Sequence, residues 1–383
     1  MAKKIALLSG KGGSGKTSLC LSIADLLSSC GIKTLLVDCD FSTNGATYFF
    51  EDKLESNRTV LSLERLLQGS DADGSTIFIN DNLDFIPSVS NLNFSNTGNE
   101  SSYDKIVSNI DGISEKYDVV IFDCQAGYSR VLDFVLPAVD ESLFVLEADA
   151  ISSSAIRSLF LKIGTHLKNK KAYQIFNKVT PEEYDVYNKI SGGTLFTNIE
   201  TVKFDWRIRK AFALSLVPNF ENVSIFYMEQ LLSICRVLFK ETEFQEKMEI
   251  VAKKISSYRL KRRQDFIFER LHEIKSDKRK TMRKIFSVGA VSYSIIALCV
   301  TVYILFAGKP VSLFVESLDA SFLSAVLMGI ISSVLAIFMF VQIKAKKEQN
   351  KTFAFYEKEL HQIEKSLSNC FVDSQNDDQQ DLN

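Results

Sequence analysis

The chain has 383 residues, 46% of them hydrophobic and 24% charged, with a formal net charge of −2. That length accommodates one large domain plus further segments, and the near-neutral charge argues against a broad basic face for nucleic acid. The seven cysteines, Cys20, Cys30, Cys39, Cys124, Cys235, Cys299 and Cys370, are scattered without C-x-x-C spacing, and His166, His272 and His361 lie far apart. Zinc and iron-sulfur ligation are therefore not expected, and the thiols read as reduced.

The first predicted element is an apolar strand at Ile5–Leu8, followed at once by Gly10, Lys11, Gly12, Gly13, Ser14, Gly15, Lys16, Thr17 and Ser18. Gly10, Gly15, Lys16 and Thr17 match G-x-x-x-x-G-K-T in the required order of strand, glycine loop and helix. Successive backbone N–H groups in such a turn form a concave nest for phosphate oxygens, and the helix starting near Lys16 adds its positive N-terminus. Lys16 would reach the β- and γ-phosphates of a nucleotide, and the Thr17 hydroxyl would ligate Mg²⁺. Further along, Thr34–Asp40 reads as a buried strand ending in Asp38 and Asp40, and Tyr117–Asp123 repeats the design with Asp123 as a Walker B acid. Both would deliver carboxylates to the ligand edge of a parallel sheet.

These segments resemble the MinD/ParA family of deviant Walker A ATPases from Met1 to about residue 245. The resemblance implies an α/β fold, a mostly parallel sheet flanked by helices, binding ATP with Mg²⁺ and hydrolysing it slowly. It also implies that Lys11, five residues ahead of Lys16, reaches across a nucleotide-sandwich homodimer to the partner subunit's phosphates. By the same resemblance Asp40 orients or activates water, Asp38 and Asp123 hold the Mg²⁺ hydration shell, and Asn177 in Tyr173–Val179 reads the adenine edge. Two stretches depart from the family pattern: Cys124-Gln125-Ala126-Gly127 lacks a proline before Ala-Gly, and Phe41-Ser42-Thr43-Asn44 replaces Pro-Gln-Gly-Asn.

After Trp206–Ala211, which resembles the family's late helix, proline is absent from Asn219 through Lys309 and apolar residues recur at helical spacing. Two or three helices are expected there, with a break near Thr242 or Ser256, and residues 246–284 form a linker with a basic end. Ile285–Gly308 and Ala320–Ile343 carry no charge, each enough for a transmembrane helix. Lys275, Lys278, Arg279, Lys280, Arg283 and Lys284 precede the first run, and Lys344, Lys346, Lys347 and Lys351 follow the second. This bias predicts a two-helix hairpin over 285–343 in the inner (cytoplasmic) membrane, with both termini cytosolic and anionic lipid beside the basic flanks. Because the N-terminus is already the first strand, no cleavable signal peptide is expected. In the last segment, 344–383, Glu348–Leu367 reads as a helix able to pack on the incoming one, and Asp373–Asn383 as an acidic disordered tail.

Two functions are consistent with this organisation. One is a membrane-anchored ATPase switch that dimerises on ATP-Mg²⁺ and controls a protein partner or membrane assembly. The other is a membrane effector or scaffold, for example in anti-phage defence, in which nucleotide gates oligomerisation of the hairpin; polar residues such as Ser287, Ser292, Thr301, Ser324 and Ser332 suit helix contacts as readily as a pore.

Overall fold

The computed structural model describes residues 1–55, 60–67, 75–90, 103–183, 196–306 and 320–380. The chain divides into two compact units, Met1–Ser256 and Ser257–Asn383.

The first unit is built on eight strands, β1 (Lys3–Ser9), β2 (Thr34–Cys39), β3 (Ile77–Asn80), β4 (Leu83–Ile86), β5 (Val119–Ala126), β6 (Glu141–Leu146), β7 (Lys171–Val179) and β8 (Thr197–Lys203). Their order across the sheet is β3-β4-β2-β5-β1-β6-β7-β8. Every pairing is parallel except β3 with β4, as the expected mostly parallel architecture requires. Central strands such as β2 and β6 are buried at every position, which explains why they read as continuous apolar runs and not as alternating ones. Phe85, Phe122, Phe144 and Phe176 are sealed from solvent, and Phe144 stacks on Phe196 with centroids 4.2 Å apart. Each such ring contributes roughly 2–3 kcal/mol of burial energy.

The helices of this unit are α1 (Lys16–Ser29), α2 (Gly45–Phe49), α3 (Glu51–Glu55), α4 (Leu63–Leu67), α5 (Tyr103–Ser114), α6 (Leu132–Ala138), α7 (Ala150–Ile163), α8 (Trp206–Ala213) and α9 (Ile225–Leu238). Helix α9 lies on α1, where the buried Tyr227 hydroxyl meets Ser22 Oγ at 3.0 Å. The β2–β5 register sets Asp38 directly opposite Asp123, and Asp123 is also opposite Leu7 of β1. Three strand ends and the loop after β1 therefore converge on one crevice, the edge where open parallel sheets bind ligands.

A break at residues 239–241 separates α9 from α10 (Thr242–Phe306), and α11 covers Ala320–Gln380. The break falls near Thr242, one of the two positions expected, and the helix then runs on through Ser256. Linker and first apolar run are one continuous helix, because no glycine or proline intervenes before Gly289. Helix α11 also runs to Gln380, into the segment expected to be disordered; glycine and proline are absent beyond Gly329, so nothing in the chain interrupts it. In the second unit α10 and α11 meet through Ile267, Leu271 and Ile363, supported by Phe353, Tyr356 and Leu360. Arg263 clasps Glu359 with two bonds of 2.8 and 3.2 Å. The expected packing of Glu348–Leu367 on the incoming helix is thus present.

Among the described residues no helix is long and apolar enough to cross a membrane. The expected transmembrane hairpin is thus not borne out by the described residues. Its connecting loop, 307–319, is not described, and neither are most side chains of the two apolar runs, whose backbones are helical over 285–306 and 320–343.

Candidate nucleotide site

The loop after β1 takes its shape from its glycines. A Cβ on Gly10 would come within 2.5 Å of the backbone of Ala155 in α7, so only glycine lets the two backbone segments touch. Gly13 and Gly15 have φ of 82° and 86°, a region that side chains disfavour. Lys16 opens α1 and is 6% exposed, with Nζ 2.5 Å from Asp123 Oδ1. Burial disfavours its ammonium group, but the Asp123 charge outweighs that and holds the group protonated above its ordinary range.

The three acids behave differently. Asp38 is wholly buried and accepts from Asp40 N (2.9 Å), Thr47 N (2.9 Å) and Thr47 Oγ1 (2.7 Å). Burial first, then the neighbouring Asp123 charge, lifts its carboxyl to about 7. Asp40 also feels burial, yet it stays below the usual carboxylate range. Thr43 donates through Oγ1 (2.6 Å) and N (2.9 Å), and Ser42 through Oγ (2.9 Å) and N (3.0 Å). The atypical Ser42-Thr43 pair is what clamps the carboxylate. Asp123 spends Oδ1 on Lys16, and its buried Oδ2 has no partner among the described residues.

That orphaned oxygen fits a hydrated Mg²⁺, a hard cation that uses one or two carboxylates and leaves other positions to water and phosphate. Asp123 Oδ2 and the Thr17 hydroxyl would hold it, with Asp38 beside them already satisfied by Thr47 and the Asp40 amide. Among the described residues no three His, Cys, Asp or Glu side chains form a cation cage.

Lys11 is placed apart from these groups. Its Nζ is 2.8 Å from Glu147 Oε2 and 3.0 Å from Asp149 Oδ2, with the side chain 31% exposed. The bonds to Glu147 and then Asp149 raise its pKa. Asn177 donates from Nδ2 to the Ser14 carbonyl at 2.8 Å. Lys178, at φ 60°, donates to the Gly13 carbonyl and pairs with Glu147 Oε1 at 3.2 Å. Asn177 thus braces the loop in this structure as well as lining the crevice.

A cavity of about 630 Å³ joins Gly12–Ser18 with Asp40, Ser42, Thr43, Asn177 and Lys178, and continues to Ile208, Arg209 and Phe212 of α8. Its size suits a small-molecule ligand. Gly12, Gly13, Ser14, Gly15, Lys16, Thr17, Ser18, Asp40 and Asn177 line it together; the buried Asp123 and Asp38 bond to Lys16 and Asp40 of that lining, and Gly10 and Lys11 are not part of it. Sequence reading passed over Glu147, Asp149, Lys178 and Phe212. The first two follow the end of β6 and were detectable by the same rule that selected Asp38 and Asp40, acids just past a buried strand.

A family profile described as an AAA domain matches residues 2–175. An uncharacterized protein of Methanocaldococcus jannaschii is 28% identical over 160 residues, 40% of this chain and 62% of that protein. The septum site-determining protein MinD of Synechocystis is 26% identical over 200 residues, 50% of this chain and 70% of that protein. The chain spans less than two thirds of the first of these relatives. Among solved structures, a putative plasmid partition protein of Borrelia burgdorferi bound to AMPPNP superposes with a TM-score of 0.55 at 21% identity, covering 63% of this chain and 99% of that one. The chain is therefore similar in sequence to MinD of Synechocystis and shares its fold with that Borrelia protein.

Proposed function

We propose that this chain is a membrane-anchored ATP-Mg²⁺ switch that forms a nucleotide-sandwich dimer and resets by slow hydrolysis. The observation that carries this reading is the phosphate loop Gly10–Thr17, set over the buried Asp38–Asp123 pair with Lys11 outside it. The loop amides and Lys16 bind the triphosphate. When bound, the cation neutralises developing phosphate charge. Asp40, held ionised by Ser42 and Thr43, orients the attacking water. Lys11 leaves Glu147 and Asp149 to pair with phosphate on a second copy, so that dimerisation depends on nucleotide.

The anchor rests on the two uncharged helical runs. Phe286, Val291, Ile295 and Leu298 in the first, and Met339, Phe340 and Ile343 in the second, are exposed, which suits a lipid environment better than water. A fixed anchor favours control of a protein partner or membrane assembly from one place. The test is the oligomeric state of the detergent-solubilised protein with ATP and Mg²⁺. Wild type should dimerise, Asp40→Ala should prolong the dimer, and Lys11→Ala should remain monomeric. Assembly indifferent to nucleotide and to both substitutions would reject the switch.

A further inference from the structure

The outer side of helix α8 and the turn after it form a basic and apolar face beside the nucleotide cavity, which itself takes in Lys203, Phe204, Asp205 and Arg209. Asp205 is the reason for its shape. Its carboxylate turns inward to accept Arg207 N and Ser224 N, each at 2.9 Å, capping α8 and tying it to the start of α9. Its neighbour Trp206 is 59% exposed, whereas Phe204 lines the nucleotide cavity. Leu214, Leu216 and Phe226 are exposed as well, and Lys203 lies over the Phe226 ring at 4.6 Å. Residues 203–216 carry four cations against the single acid Asp205; Lys203 and Arg209 line the nucleotide cavity, and Arg207 and Lys210 lie outside its lining.

We propose that this face, centred on Trp206, docks directly on the anionic surface of a lipid bilayer, as a contact separate from the apolar runs. The proposal rests on the membrane anchorage inferred above. Cations on a helix are attracted to acidic headgroups, and tryptophan is at home at the interface, with an apolar body and one N–H donor. A second copy is a poor occupant, since a two-fold contact would set this basic patch against itself. A nucleic-acid backbone would satisfy the cations but leave Leu214 and Leu216 without apolar partners. Because Ile208, Arg209 and Phe212 of the same helix line the nucleotide cavity, docking and nucleotide occupancy would act on one helix.

Trp206 is the single tryptophan of the chain, so its fluorescence reports this face alone. The full chain would be reconstituted into vesicles of phosphatidylcholine with or without phosphatidylglycerol and floated, and Trp206 emission recorded with brominated lipids. The expected result is flotation with both, and a blue shift with bromolipid quenching in the anionic vesicles that is reduced at high salt. Arg207→Gln/Lys210→Gln should lose the quenching while floating and keeping its helical circular dichroism. A second reporter, Leu216→Trp in a Trp206→Phe background, should be quenched in the same vesicles. Flotation with a solvent-like, unquenched Trp206 would overturn the docking face and leave the anchorage standing. Failure to float would overturn the anchorage and the docking with it. A blue shift produced without lipid, by ATP in detergent or by duplex DNA, would reassign the face to a second copy or to nucleic acid.

Discussion

Lys16 and Asp123 form an ion pair that solvent scarcely reaches, with Nζ to Oδ1 at 2.5 Å and side chains 6% and 0% exposed. The lysine expected to hold phosphate is thus neutralised in advance by the acid expected to hold metal. Removing either partner strands a charge in the interior, which typically costs about 3–5 kcal/mol. Lys16→Met and Asp123→Asn should each lower the unfolding midpoint of the first unit, and the double variant should recover much of the loss. A double-mutant cycle by thermal melting reads the coupling; additive losses would show that the two groups stand independently.

Gly15 meets two constraints at once. Its φ is 86°, and an added Cβ would lie 2.4 Å from Asn177 Nδ2. The left-handed backbone alone costs a side chain roughly 1–2 kcal/mol, and the contact would drive Asn177 from the Ser14 carbonyl. Gly15→Ala should therefore lose stability and weaken binding of a fluorescent ATP analogue, whereas Gly12→Ala, with nothing within 4 Å, should retain most of its stability. Equal losses would argue that the loop is not braced by Asn177.

Asp25 on α1 gives the first unit a pH dependence. Burial lifts its carboxyl to about 6, against a smaller downward pull from Lys254. In the unfolded chain an aspartate titrates near 4. Between those values the folded protein keeps a proton that the unfolded one releases. The contribution is full below about pH 4 and is lost as pH rises through about 6, amounting to up to about 3 kcal/mol. Asp25→Asn should flatten the stability profile across that window in chemical denaturation, and parallel profiles for the two proteins would refute the assignment.

In the second unit the apolar contact outweighs the ion pair. Ile267 is fully buried at the junction of α10 and α11, and Ile267→Ala should cost roughly 2–4 kcal/mol. Arg263→Ala should have a small effect, because exposed pairs are screened by water. Hydrogen exchange of the amides around Phe353–Leu367 distinguishes them. Faster exchange is expected in Ile267→Ala, and a greater effect from Arg263→Ala would reverse the ranking.

Local patterns in the sequence determined the strand–loop–helix order, the glycine positions of the phosphate loop, the acids at strand ends and the mostly parallel α/β class. Each depends on a few adjacent residues: glycines where φ is positive, apolar runs where a strand is buried on both faces. The packing of Glu348–Leu367 on α10 was legible in the same way, from apolar spacing along one helix. Tertiary structure alone decided how these groups pair. Asp38 faces Asp123 through the β2–β5 register, Lys11 lies on Glu147 and Asp149 from the end of β6, and Asn177 and Lys178 return from β7 to brace Ser14 and Gly13. Those contacts join residues more than 80 positions apart, and no local pattern carries a register between strands. Ser42 and Thr43 differ from these: only two and three residues past Asp40, they donate to its carboxylate in a local turn that adjacent residues can form by themselves.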